Sequence, residues 1–354
     1  MKILVINPGS TSTKISIFED KKEVYKEKLD HQKEEIAKFP HIPDQFEFRK
    51  QIVLNALKKA RFNLNDFDAI GARGGNTHPL ESGTYRVNEK MIEDLMGLQY
   101  GEHASNLGAP LAYTLANEVG IPAFIVDPVI VDEMQLVAKV TGLKGIERRA
   151  KDHPLNQKAA AREAAKKLGI TYGEGNFIVA HLGGGISVAS HKKGRIIDVN
   201  DALNGDGPFS PERAGDLPNI AVVDMCFSGK YTKEEIKKSL AGKGGLVSHL
   251  ETNSLIKVEK MIADGNKYAK LVFDAMVYQI AKEIGKHATV MRGEVDAIVL
   301  TGGLANSEQL INGIKEYVTF IAPLFVYPGE HEMEAIARGV RRVLENKEKA
   351  KEYS

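Results

Sequence analysis

The chain has a single cysteine, no tryptophan and almost no imbalance of charge. Cys226 cannot form an internal disulfide or a zinc site by itself, which is typical of a protein from a reducing compartment. The 48 basic and 47 acidic residues leave a formal net charge of +1. Bulk charge therefore gives no reason to expect nucleic acid or an anionic membrane surface as a partner.

Long hydrophobic runs are also missing. The longest apolar stretches are interrupted by Asp127, Gly302 or Pro323, well short of a membrane-spanning helix. The N-terminal stretch "MKILVINPGS" is too short in apolar residues for a secretion signal. We therefore expect a cytoplasmic protein with no membrane partner. Its 354 residues, 43% of them hydrophobic, favour two domains.

Several nucleotide-binding signatures are absent as well. The sequence contains no G-x-x-x-x-G-K-[ST] and no G-x-G-x-x-G between a strand and a helix, so neither a P-loop nor a Rossmann site is supported. The protein-kinase motifs "HRD" and "DFG" are missing too.

The hydrophobic pattern predicts an α/β protein built from a duplicated unit. Three antiparallel strands are expected in "KILVI", "TKISIFE" and "KEVYKEKL", followed by a helix over residues 44–62. In the second half, "NFIVAHLGGGISVASHKKGRIIDV" repeats this order of strand, glycine turn, strand, charged turn and strand. The remaining pattern predicts a core position for Cys226, a final helix from about Glu332 and a frayed, solvated C-terminal tail.

Glycines follow four of the predicted strands, at Gly9, Gly74–Gly75, Gly183–Gly185 and Gly302–Gly303. Such turns allow backbone N–H groups to approach an anion closely, and ligands of open α/β sheets bind at the carboxyl ends of strands. The first stretch, "LVINPGSTSTKIS", would by itself indicate only a hairpin. Four such turns together favour a polyanionic ligand such as a nucleotide.

The segments "INPGSTSTKISIF", "HLGGGISV" and "LTGGLANS" together resemble the phosphate and adenosine motifs of the acetate and sugar kinase/Hsp70/actin superfamily. Within it the chain is similar to the acetokinase family. "GEHASNLGAP", "ERRAKDHPLNQKAA" and "GPFSPERAGDLP" resemble the butyrate kinases of that family. This resemblance covers residues 1 to about 344.

The resemblance implies two duplicated ribonuclease-H-like, actin-like ATPase domains with a nucleotide cleft between them. The N-terminal domain would comprise residues 1–147 and 334–354 and hold the first phosphate turn and the carboxylate pocket. The C-terminal domain, residues 148–333, would hold the second phosphate turn and the adenosine site. A homo-oligomer of at least two chains is also expected.

A carboxylate kinase faces electrostatic repulsion rather than a need for a base. A carboxylate has an ordinary pKa of about 4 to 5 and is already ionised at neutral pH. Catalysis must then neutralise and position two anions, which calls for arginines, Mg²⁺ with oxygen ligands and hydrogen-bond donors around the phosphoryl oxygens.

The resemblance implies a role for residues at matching positions. Arg73 and Arg213 would flank the transferred group, His153 would donate to its oxygens, and Asp127 would organise the metal rather than act as a base. The implied metal positions are Asn7, Asp127 and Glu332, with Glu330 and Glu334 left open. The implied ATP-binding positions are Ser10, Ser12, Lys14, His181, Gly183, Gly184, Gly185, Gly302, Gly303 and Asn306.

The implied substrate pocket contains Gly75, His103 and Pro208. Gly75 stands where acetate kinases have a valine, so we expect room for a longer acyl tail. Gly184 replaces an asparagine of the acetate kinase pattern, which removes one side-chain contact to ATP. Structural roles stay open for the two histidines, because His103 and His153 each precede a predicted helix that they could cap.

The resemblance implies one reaction, ATP + butanoate = ADP + butanoyl phosphate, with Mg²⁺ as cofactor. Acetate, propionate or a branched-chain acid could replace butanoate within the same family. A sugar kinase of the superfamily would need an aspartate base, and an actin-like or chaperone-like ATPase module is the non-enzyme alternative.

Overall fold

A computed structural model describes the whole chain, Met1–Ser354. The chain forms two compact units, one of Met1–Val131 with His331–Ser354 and one of Asp132–Glu330. The segment 132–147 therefore falls in the second unit, whereas the sequence placed it in the first domain. Glu133 holds it there, since its Oε2 accepts hydrogen bonds from Lys158 Nζ at 2.7 Å and from the Ile196 N–H at 3.0 Å.

The strands are β1 Lys2–Pro8, β2 Ser12–Glu19, β3 Lys22–Asp30, β4 Ala69–Arg73, β5 Thr84–Arg86, β6 Ala123–Val126, β7 Asn176–Leu182, β8 Ile186–Lys192, β9 Arg195–Val199, β10 Ala297–Gly302, β11 Leu324–Pro328 and β12 Lys351–Glu352. The helices are α1 Lys33–Ile36, α2 Phe46–Lys59, α3 Glu89–Met96, α4 Gly108–Asn117, α5 Leu136–Lys139, α6 Pro154–Lys167, α7 Asn219–Phe227, α8 Lys233–Leu240, α9 Gly245–Leu250, α10 Leu255–Ala263, α11 Lys267–Val290, α12 Glu308–Val318 and α13 Glu332–Leu344. Short 3₁₀ segments cover Pro43–Gln45, Leu64–Asp66, Ala104–Leu107 and Gly303–Asn306.

The first unit contains a seven-stranded sheet in the order β12-β5-β6-β4-β1-β2-β3. Its centre is parallel, β6 with β4 and β4 with β1, while β1, β2 and β3 form the predicted antiparallel meander. The central strands are buried on both faces, as their apolar runs predict for a parallel core. The carboxyl ends of three parallel strands thus lie side by side.

Helix α13 closes this sheet although it comes from the end of the chain. It packs against β1, β4 and β6 with Ile336 and Val340 fully buried. Gly71 permits that approach, since a Cβ there would lie 2.8 Å from methyl groups of both residues. The packing places the first turn of α13, including Glu332, in the first unit.

The second unit repeats the design. Its five-stranded sheet has the order β11-β10-β7-β8-β9, with β7, β8 and β9 antiparallel and β7 parallel to β10. The strand β7 thus has the same partners as β1: an antiparallel strand on one side and a parallel one on the other. This confirms the duplicated α/β architecture that the sequence predicts.

Two local expectations are wrong. Cys226 is exposed rather than in the core, because α7 buries none of its residues. The C-terminal tail is not frayed, since β12 pairs with β5 and the hydroxyl of the buried Tyr353 donates to Asp94 Oδ2 at 2.7 Å. No helix combines the length and apolar character needed to cross a membrane.

Candidate active site

Three predicted site residues of the first unit lie at the ends of neighbouring parallel strands. The pairing of Ile6 with Ala72 brings Asn7 of β1 next to Arg73 of β4. Arg73 in turn pairs with Val126, so Asp127 follows on the next strand. Polar residues at the carboxyl edge of a parallel sheet are well placed to bind a ligand.

Glu332 joins this edge from the start of α13. Its Oε2 accepts a hydrogen bond from Asn7 Nδ2 at 2.7 Å, and its Oε1 lies 3.1 Å from Arg73 Nη1. Glu334 instead pairs with Arg338 at 2.7 Å. Of the acidic residues left open by the sequence, Glu332 is therefore the one that contacts Asn7 and Arg73.

Asp127 is held in a strained conformation. Its φ of +39° lies in the left-handed region that non-glycine residues rarely adopt, and strain of this kind is common at functional sites. Its Oδ1 accepts hydrogen bonds from Ser82 Oγ at 2.5 Å and from the Gly83 N–H at 2.9 Å. These bonds fix a carboxylate that is only 3% exposed.

The oxygen donors at this edge fit a hard cation. No group of three or more His, Cys, Asp or Glu side chains could hold a metal ion. Mg²⁺, however, usually takes one or two carboxylates and fills its remaining positions with water and substrate phosphates. Asp127 and Glu332, with the Asn7 amide oxygen, match that need.

The first glycine turn is tight. The Gly9 N–H donates to the Ser12 carbonyl at 2.7 Å. Ser12 and Lys14 lie on β2, and Lys14 is the register partner of Asn7. A spacing of two residues in the sequence predicts that Ser10, Ser12 and Lys14 share one side of a strand. Ser10, however, lies in the turn before β2 and is exposed, so only Ser12 and Lys14 follow that alternation.

The predicted room beside Gly75 is not present. A Cβ at Gly75 would lie 2.5 Å from Asn106 Cα and 2.7 Å from Asn106 Oδ1. The Asn106 side chain accepts a hydrogen bond from the Asn76 N–H at 2.9 Å, which fixes it in that place. The missing side chain thus allows close packing of the 3₁₀ segment rather than space for an acyl tail.

His103 caps the 3₁₀ segment Ala104–Leu107. Its Nδ1 accepts hydrogen bonds from the Ser105 N–H at 3.2 Å and from the Ser105 hydroxyl at 2.8 Å. This capping role, left open by the sequence, is present. Burial, followed by the positive charge of Arg73, lowers the pKa of His103. The neutral ring therefore has its Nε2–H available as a donor.

In the second unit, His153 and His181 stack on each other. Their ring centroids are 4.0 Å apart with an interplanar angle of 14°. His153 makes no side-chain cap for α6, because its Nδ1 lies 2.9 Å from Ser187 Oγ instead. His181 Nδ1 donates to Asn156 Oδ1 at 2.9 Å. Ser187 and Asn156, which hold these rings, carry no local sequence signal for that role.

The second glycine turn is supported by the loop that carries Arg213. The Gly184 carbonyl accepts hydrogen bonds from Ser210 Oγ at 2.5 Å and from the Glu212 N–H at 3.2 Å. Arg213 lies beside the turn, since a Cβ at Gly185 would be 3.9 Å from its Cγ, and Pro208 is buried in the same loop. Arg213 donates to the Leu203 carbonyl at 3.2 Å, and its contact with Glu212 Oε2 is 3.6 Å long.

The third turn adjoins the second through the backbone. Gly302 has φ +92°, and a Cβ there would lie 2.4 Å from the Leu182 carbonyl oxygen. Gly303 has no atom within 4 Å of its Cβ position. Asn306 donates from Nδ2 to the Gly303 carbonyl at 2.9 Å. The structure thus brings the implied second-unit ATP residues to one end of the β7–β10 pair.

The duplicated sheet with glycine turns at strand ends defines the class as the actin-like ATPase fold. Solved structures of similar fold include an acetate kinase from Porphyromonas gingivalis, with a TM-score of 0.80, 20% identity, and coverage of 97% of this chain and 99% of that chain. A propionate kinase from Francisella tularensis has a TM-score of 0.73 and 19% identity, with coverage of 95% of this chain and 98% of that chain. An acetate kinase from Entamoeba histolytica has a TM-score of 0.78 and 16% identity, with coverage of 98% of this chain and 100% of that chain.

The family follows from a direct match. The model of the acetokinase family matches residues 135–335, more than half of the chain. The chain therefore belongs to the acetokinase family. It is a carboxylate kinase, whose substrates are ATP and a small carboxylate.

Proposed function

We propose that this carboxylate kinase converts ATP and butanoate to ADP and butanoyl phosphate, with Mg²⁺. A carboxylate oxygen attacks the γ-phosphorus, the bond to the bridging oxygen breaks, and ADP leaves with that electron pair. No proton has to be removed, because the acceptor is already an anion. The reverse reaction, in which the acyl phosphate makes ATP, suits a fermentative role.

The polar edge of the first unit is the observation that carries this proposal. Arg73 is poised there to neutralise an oxyanion, with Glu332 3.1 Å away to orient its guanidinium. Asn7, Asp127 and Glu332 would hold Mg²⁺, which supplies charge neutralisation at the phosphates. An edge with an arginine beside metal-type oxygen donors suits two anionic reactants better than a neutral hydroxyl.

The second unit would supply further positive charge and donors. We assign Arg213 to the transferred group and His153 to its equatorial oxygens. The glycine turns at Gly183–Gly185 and Gly302–Gly303, with His181 and Asn306, would bind ATP in the C-terminal domain. Ser10, Ser12 and Lys14 would bind it in the N-terminal domain.

The choice of butanoate is supported by the three segments that resemble butyrate kinases. Gly75 does not add to that support, because Asn106 fills the space beside it. His103 and Pro208 stay assigned to the substrate pocket. Each additional buried methylene contributes only about 0.8 kcal/mol, so overlapping activity on propionate and branched acids is expected.

A cytoplasmic homo-oligomer of at least two chains is also proposed. Exposed apolar side chains support it, since Leu136 and Val137 are 82% and 75% exposed and Phe227 of α7 is 87% exposed. Light scattering on the purified chain gives the molar mass, and a monomer at micromolar concentration would contradict this part of the proposal.

Hydroxylamine trapping tests the reaction. The protein is incubated with ATP, Mg²⁺ and either acetate, propionate, butanoate, isobutyrate or glycerol, and acyl hydroxamate and ADP are measured. Hydroxamate should form with the carboxylates, and most with butanoate. A preference for acetate would reject the butanoate assignment, and ADP release with glycerol alone would favour a sugar-kinase activity.

A further inference from the structure

Arg49 lies on α2, and its side chain is fully buried behind the first glycine turn. Its Nη1 donates to the Gly9 carbonyl at 2.9 Å, to Thr13 Oγ1 at 3.1 Å and to the Ser12 carbonyl at 3.3 Å. Its Nη2 donates to the Ser10 carbonyl at 3.5 Å. Both Nε and Nη2 donate to Gln45 Oε1, at 3.0 and 2.9 Å. One guanidinium therefore anchors most of the turn.

The four carbonyls of residues 9–12 all face the protein. Arg49 binds those of Gly9, Ser10 and Ser12, and the His31 N–H donates to the Thr11 carbonyl at 2.9 Å. In a trans peptide the next N–H points opposite to the carbonyl. The N–H groups of Ser10 and Thr11 are therefore turned away from Arg49, as a nest for an anion requires.

The charge of Arg49 has no acidic partner. Every group that accepts from it is a carbonyl, an amide oxygen or a hydroxyl. Burial lowers the pKa of Arg49 to about 10, so the guanidinium stays protonated at neutral pH. A buried charge without a counter-ion is costly. Because Arg49 lies behind a turn suited to bind an anion, a bound anion can serve as the missing counter-ion.

The neighbouring His31 does not compete for this role. Its Nε2 lies 2.9 Å from Thr13 Oγ1, and its Nδ1 has no hydrogen-bond partner. Burial, together with the charge of Arg49, lowers the pKa of His31 to about 4. His31 is therefore neutral at pH 7, and Arg49 is the source of positive charge behind the turn.

We infer that Arg49 is a positioning residue for the phosphates of ATP. It orients the turn's N–H groups outward, and the bound phosphate balances its buried charge. This inference rests on the proposed function, because it requires that ATP phosphate binds at residues 9–12.

The test compares Arg49→Met, which removes the charge, with Arg49→Lys, which keeps it. The neighbouring Lys50→Met is the matched control, because Lys50 pairs with Glu47 at 2.8 Å and does not contact the turn. Binding of ATP with Mg²⁺, in the absence of any carboxylate, is measured by calorimetry. Binding of adenosine is measured by NMR. Circular dichroism verifies the fold of each variant.

Arg49→Met should weaken ATP binding at least tenfold and leave adenosine binding unchanged, while Lys50→Met changes neither. Arg49→Lys should recover part of the ATP affinity. In Arg49→Met the pKa of His31, followed by NMR titration, should rise from about 4. That rise reports loss of the Arg49 charge in a folded protein.

Equal effects on ATP and adenosine, or none on either, in folded Arg49→Met would overturn the inference and leave the proposed function standing. An Arg49→Lys variant as weak as Arg49→Met would reject the charge contribution. Failure of the unaltered protein to bind ATP would overturn both the inference and the proposed function.

Discussion

At the residue scale, Arg73 is the proposed catalytic side chain whose contacts are best defined. Its contact with Glu332 is partly buried, which favours a fixed geometry over a mobile surface pair. Arg73→Ala should lower kcat/KM for carboxylate phosphorylation at least about 100-fold, because neutralisation of the reacting anions is lost. Steady-state hydroxamate formation measures the change.

Arg86→Ala provides the control for Arg73, since Arg86 is an exposed arginine of the same sheet. It should retain the unaltered rate. Full activity in both Arg73→Ala and Arg213→Ala would reject the catalytic assignment of the two arginines.

Asp152 gives a pH dependence at the same scale. Its side chain is 1% exposed and neither carboxyl oxygen has a hydrogen-bond partner. Burial raises its pKa from 3.8 to about 7. Its contribution to the free energy of unfolding is therefore fully present below pH 4 and is lost as the pH rises through about 7. The loss of stability is at most about 4 kcal/mol.

Asp152→Asn should remove that loss. The melting temperature of the variant should exceed that of the unaltered chain by more at pH 8 than at pH 5. The exposed Asp264→Asn serves as the control and should give the same offset at both pH values. An offset for Asp152→Asn that does not change with pH would contradict the raised pKa.

At the scale of elements, Gly302 should be far less tolerant of substitution than Gly303. Gly302→Ala requires a Cβ 2.4 Å from the Leu182 carbonyl oxygen at a positive φ, which should cost on the order of 3 kcal/mol. Gly303→Ala meets no atom within 4 Å and should leave stability unchanged. Urea unfolding measures the free energy of unfolding of both variants. Equal losses of stability would show that the close contact between β10 and β7 does not restrict the residue at position 302.

The elements themselves were largely predictable, because strand alternation, helical periodicity and terminal glycines are local signals. The side chains that face inward were less so. A spacing of four along residues 44–62 predicts an apolar stripe of Phe48, Ile52, Ala56 and Ala60. In α2 the buried residues are instead Arg49, Val53, Ala56 and Leu57. Arg49 lies four residues before Val53, and this helical spacing was the one sequence signal that it shares the buried face. Its charge argues against burial unless the groups that bind it are known.

In the candidate site, too, residues with a local sequence signal were predictable and contacts between distant segments were not. Asn7, Arg73 and Asp127 could be found because each ends a predicted strand. The packing of Asn106 beside Gly75, and the support that Ser187 gives His153, depend on contacts distant in sequence. Nothing local to Gly75 distinguishes a glycine that leaves space from one that another backbone fills.

At the scale of the whole molecule, the two units differ in how the chain builds them. The second unit is continuous from Asp132 to Glu330, but the first needs His331–Ser354 from the end of the chain. Removing that segment deletes α13, with Met333, Ile336 and Val340 buried, and costs about 5 kcal/mol or more. That loss is comparable to the whole stability of a typical domain.

Deletion of residues 331–354 should therefore unfold the first unit and leave the second folded. Hydrogen exchange should show rapid exchange in β1, β4 and β6 and retained protection in β7, β8 and β10. A shorter deletion of residues 349–354 removes β12 and the side-chain contacts of the tail, among them that of Tyr353 with Asp94, so protection should fall mainly in β5. Unchanged protection of β1 in the longer deletion would mean that the first unit folds without α13, and the sheet of Met1–Val131 would then be a self-sufficient domain.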